Sequence, residues 1–455
     1  MNELVDVIRL VKRVGLRLDA MSEDLARDAG AVARTAQAFG GEARDQVTLV
    51  VRATPRVTRM ATAAAGLLAR WRWLRLAQAA RTGTPGLREQ DHRDLARRVA
   101  TYAAELRGGI AKLGQLASCR PDLIGPVWAG ELASLQDEVP PVEGIKSVVD
   151  AELGDVFESF DEAPIAAASL AQVHAATLKD GTPVVVKVQV PGIEDVIAAD
   201  IAALRAVAGA LGEIPGLDLP TLSAELARAL TEELDYELEA ASLKAYVGTA
   251  VVPEPVIATK RVLVMTRIVG ERLTGWLEAA SPPARDRLLG ELVGEVAAQV
   301  LARGQVHADP HPGNFLVTED GRLALLDFGC VLTLSQAERA AYARLVVAIA
   351  GGNTQAAATE LTTLGFSADD PAQLVDLTAA LIAAMRPGAN TADIDWQAAM
   401  GEQLAQARQL GGLVIPRSFV LLGRVLASIA GLLATYKPKL EIHPLIVRHL
   451  AAAIA

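Results

Sequence analysis

The alternation of apolar and polar positions predicts several short strands in the middle of the chain. Residues 182–190 form a β-branched run with one lysine, Lys187, near its centre. Residues 323–326 and 262–265 are shorter apolar runs of the kind that form buried strands. Lys179-Asp180-Gly181 precedes the first run and is typical of a hairpin turn. A compact β-containing region is therefore expected.

Most of the remaining chain has the patterning of closely packed helices. Hydrophobic residues make up 51% of the sequence and aromatic residues only 4%, and the many alanines favour helix. A chain of 455 residues exceeds what one core normally supports, so two or three subdomains are expected. The pattern suggests a helical N-terminal region at 1–90, a helical extension at 91–160, a small lobe at 161–270 and a large helical lobe at 271–455.

The most informative motif is His307–Asn314, which is followed by Asp327-Phe328-Gly329. An aspartate, an asparagine five residues later and an Asp-Phe-Gly triplet have the order of the kinase catalytic and metal loops. Magnesium prefers oxygen ligands, so Asn314 and Asp327 are the candidate metal ligands. Asp309 is then the candidate catalytic residue, which orients the nucleophile or accepts its proton. Taken alone, Asp309 and Asn314 also suit a Pro-rich turn, but the joint spacing favours the catalytic interpretation.

Lys187 is the second candidate catalytic residue. A lysine in an apolar strand is costly to bury without an anion. Phosphate oxygens and a helix carboxylate such as Glu233 would provide one, as in the Val-Ala-Ile-Lys motif. The alternative is an edge strand with a solvent-facing lysine. Glu233 itself lies in an acidic run, 231–239, which is usually a solvated helix face, so the need to neutralise Lys187 is what singles it out.

The segment before that strand carries alanines where a kinase would carry glycines. It contains Ala166, Ala167, Ala168 and Ser169. Alanine adopts positive φ less freely than glycine. We therefore expect this candidate nucleotide-binding loop to be stiffer than a glycine-rich loop.

Four motifs together resemble the UbiB/AarF/ADCK family of atypical kinase-like proteins, which is linked to ubiquinone and other isoprenoid lipid metabolism. They are Lys112-Leu113-Gly114-Gln115, the alanine-rich loop, Glu233-Leu234-Asp235, and the His307–Asn314 loop with its Asp-Phe-Gly triplet. The resemblance implies an α+β, protein-kinase-like bilobal fold with an all-helical N-terminal extension. It also implies ATP (or ADP) and Mg²⁺ as cofactors, and ATP hydrolysis in preference to protein phosphorylation.

The resemblance assigns further roles position by position. It implies that Glu233 pairs with Lys187 and that backbone groups at Met265 contact adenine, although Thr266-Arg267 follows where many relatives carry an acidic residue. The family's regulatory positions correspond to Lys112, Gln115, Asp235 and Glu239.

The segment around Lys112 has two interpretations. In the family, the extension that carries Lys112 and Gln115 occupies the space of a protein substrate, and the alanine-rich loop restrains protein phosphorylation. Outside this context Lys112 would be an ordinary exposed lysine on a helix. Gly114 lies within the same helical stretch, where glycine costs about 1 kcal/mol relative to alanine. We expect that it allows the helix to approach the small lobe closely.

Charge limits the class of partner. The net charge of −10 argues against general nucleic-acid binding. Two cysteines, Cys119 and Cys330, cannot form a disulfide framework, which favours a reduced, cytoplasmic location. No signal peptide is predicted at residues 1–20. The apolar stretch 413–436 is interrupted by charges and is a candidate buried helix.

One segment reverses the overall charge. Residues 46–88 contain no acidic residue and carry Arg52, Arg56, Arg59, Arg70, Arg72, Arg75, Arg81 and Arg88. Cationic helices with tryptophan at the boundary suit an anionic membrane surface, which would place the protein peripherally at the inner membrane face. The alternative is packing on an acidic face of the same chain or of a second copy, and homo-oligomerisation also stays open.

Three functions remain open from the sequence. The first is an ATPase or small-molecule kinase that supports isoprenoid quinone or lipid metabolism, with nucleotide and an isoprenoid or phenolic lipid as ligands. The second is an active protein kinase. The third is a nucleotide-binding scaffold of a lipid-biosynthetic complex. The complete set of expected catalytic residues weakens the third, and the alanine-rich loop with Lys112 and Gln115 weakens the second.

Overall fold

A computed structural model provides the coordinates. It describes residues 87–106, 109–118, 126–132, 140–201, 227–369, 373–376, 388–396 and 416–454, with scattered positions at 62–81, 124 and 135. The arginines at 52, 56, 59, 72 and 75, Cys119 and the side chain of Gln115 lie outside the described residues.

The chain forms two compact units. The first extends to Asp235 and includes the short segment Thr259–Val262. The second consists of Tyr236–Ala258 and the residues from Leu263 onward. The finer boundaries suggested by the sequence, at residues 90, 160 and 270, stay predictions.

The first unit begins with four described helices. They are α1 (Glu89–Leu106), α2 (Gly109–Ser118), α3 (Pro126–Leu132) and α4 (Ile145–Leu153). Helix α2 packs against α1 and α3, through an apolar cluster that contains Ala103, Leu132 and Leu135. A Cβ atom built on Gly114 would lie 2.4 Å from Leu135 Cδ1. Gly114 therefore permits a close approach, but to the helical extension itself, so the expectation that it faces the small lobe is wrong.

Another face of α2 meets the sheet side of the same unit. Leu113 is buried in a second apolar cluster with Leu170, Ile193, Ile197 and Leu230. The unit also contains helical residues at 193–201 and 227–233. Because consecutive residues of a helix point in different directions, Gly114 and Leu113 let one short helix join two layers.

Three antiparallel strands form the sheet of the first unit: β1 (Phe157–Ala167), β2 (Ala171–Leu178) and β3 (Pro183–Gln189). The predicted hairpin is present between β2 and β3, where Gly181 adopts φ 86°. Along β3, Val184, Val186 and Val188 are fully buried and Lys187 lies on the opposite face, as the two-residue period of a strand requires.

The second unit combines short strands with helices. Its strands are β4 (Pro255–Ala258), β5 (Val262–Thr266, which begins at the unit boundary), β6 (Gly270–Arg272), β7 (Gln305–His307), β8 (Phe315–Thr318), β9 (Leu323–Leu325) and β10 (Val331–Thr333). Its helices are α5 (Tyr236–Ala245), α6 (Leu273–Ala279), α7 (Pro282–Ala298), α8 (Gln336–Ala350), α9 (Thr354–Thr363), α10 (Gln373–Asp376), α11 (Arg417–Tyr436) and α12 (Ile442–Ile454). The run at 323–326 thus forms a buried strand, as predicted.

Helix α11 is the described part of the apolar stretch 413–436. Leu422, Val425 and Leu433 are buried on one of its faces, which agrees with the expected buried helix. Among the residues described here, no helix has the combination of length and apolarity that a bilayer-spanning segment needs.

Helix α7 ends in a wider, π-helical turn at Gln299–Arg303. Gly304 closes this turn with φ 75° and its N–H donates to the carbonyl of Gln299. The carbonyl of Gly304 accepts from Leu334 N–H at 2.7 Å. One glycine therefore connects α7 to β7 and to the segment after β10.

Replacing Gly304 by alanine is expected to destabilise the protein by about 2–5 kcal/mol. An L-residue in the left-handed region costs about 1–2 kcal/mol. Its Cβ atom would also lie 2.7 Å from the carbonyl oxygen of Leu334, and overpacking adds about 1–3 kcal/mol. Chemical denaturation measures the loss.

Gly352→Ala is the matched control. Gly352 also has positive φ, at 68°, but open space surrounds its Cα. It is expected to show the conformational cost alone, about 1–2 kcal/mol. Equal losses in the two variants would contradict the close packing at Gly304.

Candidate functional site

Strand pairing places Asp309 beside the Asp-Phe-Gly triplet. Strands β7 and β10 are antiparallel, with His307 opposite Val331. Ala308 N–H continues the ladder by donating to Cys330 O at 3.0 Å. Asp309 follows immediately. The pairing of these two short strands thus brings Asp309 close to the Asp-Phe-Gly triplet, which lies about twenty residues later in the sequence.

A second pairing brings Asn314 to the same place. Strands β8 and β9 pair with Phe315 opposite Leu325, and Leu326 N–H donates to Asn314 O at 3.0 Å. Asp327 is the next residue. The three candidates Asp309, Asn314 and Asp327 therefore converge at the ends of these strands, and all three are half-buried.

Hydrogen bonds orient these three side chains. Asn314 Nδ2 donates to the backbone carbonyl of Asp309 at 3.0 Å and to Asp309 Oδ2 at 3.2 Å. Because the nitrogen end of the amide is used in this way, its oxygen is the atom that could bind a metal ion. Asp327 Oδ1 accepts from Gly329 N–H at 2.8 Å. An amide oxygen and a carboxylate are a donor set that suits Mg²⁺.

Glu239 adds a second carboxylate near Asp327. It is buried on α5. A Cβ atom on Gly329 would lie 3.1 Å from Asp327 Oδ1 and 3.8 Å from Glu239 Oε2. The glycine of the triplet therefore leaves room for two carboxylates, and such a concentration of negative charge favours a cation.

His307 contacts two residues of the Asp-Phe-Gly triplet, Asp327 and Phe328. Its Nε2 atom lies within hydrogen-bonding distance of the Asp327 carbonyl oxygen, which can only accept, so Nε2 carries the proton. Its ring also meets the buried Phe328 edge-on, with centroids 5.0 Å apart. Burial lowers the pKa of His307 below its ordinary value, although the carboxylates of Asp327 and Asp309 act in the opposite direction. A neutral imidazole therefore supports the loop.

A buried polar network, which the sequence did not reveal, fixes His307 in turn. Gln299 Oε1 accepts from His307 N–H at 2.9 Å, and Gln299 Nε2 donates to Glu295 Oε1 at 3.0 Å. Glu295 also accepts from Tyr246 OH at 2.8 Å and Thr249 Oγ1 at 2.9 Å.

The charge of Glu295 is compensated within the same network. Arg303 forms a close ion pair with Glu295 Oε1. Burial by itself raises the pKa of this carboxyl, but the hydrogen bonds from Gln299 and Tyr246, with the charge of Arg303, lower it below its ordinary value. The glutamate is therefore held as an anion that orders α7 and the π turn behind the catalytic loop.

Arg424 is another residue that sequence reasoning missed as a site residue. It lies on α11 and forms a close ion pair with Asp309 Oδ1. The sequence treated it as a charge that interrupts an apolar stretch. A contact across 115 positions leaves no local pattern that could have indicated it.

In the first unit, the structure brings Lys112 and Glu233 together. Lys112 Nζ lies 2.6 Å from Glu233 Oε1, and the two side chains are only 19% and 29% exposed. Glu233 is thus the carboxylate partner of Lys112. The pairing of Glu233 with Lys187 stays a prediction.

The surroundings of Lys187 exclude the edge-strand alternative. Strand β3 pairs with β2 along its length, with Lys187 opposite Val173. On its other side Gln189 N–H donates to Arg261 O at 3.0 Å. Gln189 lies two residues after Lys187, hence on the same face, and its side chain donates to the carbonyl of Leu234. The helix that carries Glu233 therefore ends on the face of the sheet from which Lys187 projects.

The glutamate motif spans a break between helices. Helical residues 227–233 end at Glu233, and Asp235 N–H donates to Glu232 O at 3.2 Å. Helix α5 then begins at Tyr236 and carries Glu239. Asp235 is half-buried at this junction.

The alanine-rich segment is part strand and part turn. Ala166 and Ala167 are the last residues of β1, while Ala168 N–H donates to Ala171 O at 2.8 Å and closes a tight turn. Leu170 lies in this turn, is buried against Leu113, and accepts from Val190 N–H at 2.9 Å. The turn is therefore anchored to the helix that carries Lys112.

The remaining candidates are placed without a contact that defines a role. Met265 lies in β5 opposite Pro255 and is buried. Gln115 lies on α2. Their contacts with nucleotide stay predictions.

This geometry agrees with the order of motifs in protein-kinase-like proteins, and comparison with known proteins identifies the family. The ABC1 atypical kinase-like domain family matches residues 134–361, about half of the chain. The chain belongs to this family, also called AarF/UbiB. The α+β, kinase-like fold predicted from the sequence is thereby confirmed.

Related proteins agree with this assignment. ACTIVITY OF BC1 COMPLEX KINASE 1, chloroplastic, of Arabidopsis thaliana is 34% identical over 367 residues, which cover 75% of this chain and 53% of that protein. Rv0647c of Mycobacterium tuberculosis is 32% identical over 349 residues, with 70% of each chain covered. The chain spans about half the length of the plant relative.

A solved structure supports the fold alone. The complex of Rv3197 with erythromycin from Mycobacterium tuberculosis has a TM-score of 0.56 and 23% identity, and the match covers 77% of this chain and 94% of that one. At this identity the erythromycin of that complex carries no implication for the present site.

Replacing Gln299 by leucine is expected to lower the free energy of unfolding by about 1–3 kcal/mol. The buried N–H of His307 would lose its acceptor, and an unsatisfied buried polar group costs about this much. Gln305→Leu is the control, because the Gln305 side chain donates a long 3.3 Å bond to Ser242 O, and its loss should cost about 0.5–1 kcal/mol. Chemical denaturation of both variants measures the difference. A larger loss in the control would contradict the role of the network.

Proposed function

We propose that this protein is a magnesium-dependent ATPase or small-molecule kinase that supports isoprenoid quinone or lipid metabolism. The observation that carries the proposal is the convergence of Asp309, Asn314 and Asp327 through the pairings of β7 with β10 and β8 with β9. This is the arrangement that phosphoryl transfer requires, because positioning and charge neutralisation provide most of its catalysis.

The metal would be held by the Asn314 side-chain oxygen and the Asp327 carboxylate. Among the described residues there is no group of three or more His, Cys, Asp or Glu side chains that could enclose an ion. That suits Mg²⁺, which is usually bound by one or two carboxylates together with waters and substrate phosphates. Bound magnesium would neutralise charge on the phosphates.

Asp309 would act on the nucleophile. In the proposed step, an oxygen of water or of a small acceptor forms a bond to the γ-phosphorus of ATP. The bond from that phosphorus to the β–γ bridging oxygen breaks, and its electron pair goes to ADP. Asp309 orients the attacking hydroxyl and accepts its proton.

Two contacts in the first unit support restrained protein phosphorylation. Lys112 pairs with Glu233, the carboxylate expected to pair with Lys187. Leu170 anchors the alanine-rich turn against Leu113 of the same helix. Both contacts engage the helical extension, and together they favour an ATPase or small-molecule kinase over an active protein kinase.

The lipid and membrane parts of the proposal rest on the family's link to isoprenoid lipids and on the arginine-rich segment. Trp73, in that segment, is 61% exposed, and an exposed tryptophan beside arginines suits an anionic membrane surface. Stimulation of ATP hydrolysis by anionic liposomes or by a prenylphenol analogue tests this part separately from the nucleotide chemistry.

Asp327→Asn is expected to abolish magnesium-dependent ATP binding while the fold is retained, because the variant loses the only charge of the proposed ligand pair. Asp309→Asn should still bind Mg-ATP but lose hydrolysis by about 10²-fold or more, the usual contribution of a general base. Calorimetric titration and phosphate release measure the two effects. Asp320→Asn, an exposed carboxylate on the β8–β9 turn, is the control and should resemble the parent. Unchanged Mg-ATP affinity in Asp327→Asn would refute the metal assignment.

Lys112→Met is expected to raise ATP affinity or turnover several-fold, because it frees Glu233 from the helical extension. The matched control is Lys146→Met, which removes a lysine that pairs with Asp150 at 2.8 Å on the exposed surface of the same unit. Nucleotide titration and phosphate release should distinguish the two variants. A drop in ATP affinity in Lys112→Met alone would show that Lys112 assists the nucleotide site and does not restrain it.

A further inference from the structure

Arg424 contacts the proposed catalytic aspartate from a distant part of the chain. Its Nη2 atom forms a close ion pair with Asp309 Oδ1, and the two side chains are 28% and 26% exposed. The other carboxylate oxygen, Oδ2, accepts from Asn314 Nδ2 at 3.2 Å. One oxygen thus faces a cation and the other an amide, which fixes the rotation of the carboxylate.

The helix that carries Arg424 is built to hold the loop. Ser428 lies one turn further along α11, on the same side of the helix, and its hydroxyl donates to Pro310 O at 2.6 Å. Helix α11 also packs against β10, the strand that follows the Asp-Phe-Gly triplet. Its buried residues Leu422, Val425 and Leu433 anchor the helix, so that Arg424 approaches Asp309 from a fixed platform.

The chemistry of the loop explains why a cation is needed there. Residues 307–314 contain neither lysine nor arginine. Phosphoryl transfer concentrates negative charge near the base, the acceptor and the moving phosphoryl group. A cation must therefore come from another element, and a planar guanidinium fits a carboxylate better than an ammonium does. Residue 424 lies beyond the part of the chain, 134–361, that the family match covers.

We propose that Arg424 is a positioning residue for phosphoryl transfer, which holds Asp309 in the orientation that accepts the proton of the attacking hydroxyl. This inference rests on the proposed function, and Arg424 itself exchanges no proton. The bond made and the bond broken are those of the step given above. The role differs from a structural clamp, because Ser428 already anchors the same helix to the same loop.

The first experiment tests the contact without nucleotide. Asp309 in the purified protein is labelled with a carbodiimide and an amine, and the labelled peptide is quantified by mass spectrometry. Arg424→Gln is expected to label several-fold faster than the parent, because Asp309 loses its ionic partner. Ser428→Ala should label at the parent rate. Equal labelling of Asp309 in Arg424→Gln and the parent would overturn the proposal.

The second experiment tests the positioning role. Arg424→Gln is expected to lower ATP turnover by about 10- to 100-fold, the usual effect of a misplaced catalytic group, with Mg-ATP affinity and the thermal midpoint close to those of the parent. Arg424→Lys should retain part of the activity. In Arg424→Ala, low millimolar guanidinium should restore part of the lost turnover. A clamp that merely stabilised the loop would not respond in this way.

Three results would overturn the inference. The first is higher turnover in Arg424→Gln, which would mean that the ion pair hinders the base. The second is equal losses of turnover and stability in Arg424→Gln and Ser428→Ala, and the third is unchanged turnover in Arg424→Gln where Asp309→Asn abolishes it. Turnover in the parent that Asp309→Asn does not affect would instead overturn the proposed function, while the labelling result would still report on the contact.

Discussion

The interactions of the buried Glu295 carboxylate are those on which the candidate site depends. It is almost inaccessible to solvent and accepts hydrogen bonds from the segment after α5 and from the π turn. A buried charge of this kind costs several kcal/mol to desolvate unless it is paired and fully hydrogen-bonded. Arg303 and the surrounding donors meet that condition, so these elements hold one another in a single arrangement.

The π turn connects Glu295 to the loop that begins at His307. Gln299 and Arg303 of the π turn both contact Glu295 of α7, and Gln299 also reaches the backbone of His307. Such single π turns are often found at functional sites. His307 then holds the carbonyl of Asp327. The network thus connects Glu295 to Asp327, the proposed metal ligand, through Gln299 and His307. Two of its contacts use backbone groups, those of His307 and Asp327.

The motifs could be recognised in the sequence because their chemistry is local. Each motif can be recognised within about ten positions of the chain. Examples are Lys187 in a valine-rich strand, Asp309 and Asn314 five residues apart, and the apolar run before Asp327. The structure brings Asp309, Asn314 and Asp327 together through two short strand pairings, as the motif order suggested.

The features that the sequence missed depend on tertiary context. Arg424 was read as an interruption of an apolar helix because its partner lies 115 positions away. Glu295 lies in a helix whose other residues follow an ordinary pattern, and its donors come from the segment after α5 and from the π turn. For Gly114 the close approach was foreseen but the partner was wrong, since a glycine indicates that something lies near without indicating what. Patterns along one element report which face is packed, but the identity of the neighbour comes from the fold.

Burial of Leu170 restrains the alanine-rich turn more strongly than the alanines themselves do. The sequence attributes its stiffness to alanines in place of glycines, an effect of about 0.5–1 kcal/mol per residue. The structure adds the burial of Leu170 against Leu113, Ile193 and Leu230, and a fully buried leucine contributes about 1.5–3 kcal/mol. Anchoring by this one side chain therefore outweighs any single alanine. Because Leu113 belongs to the helix that carries Lys112, movement of that helix would release the turn and the Glu233 ion pair together, so the two restraints act as one.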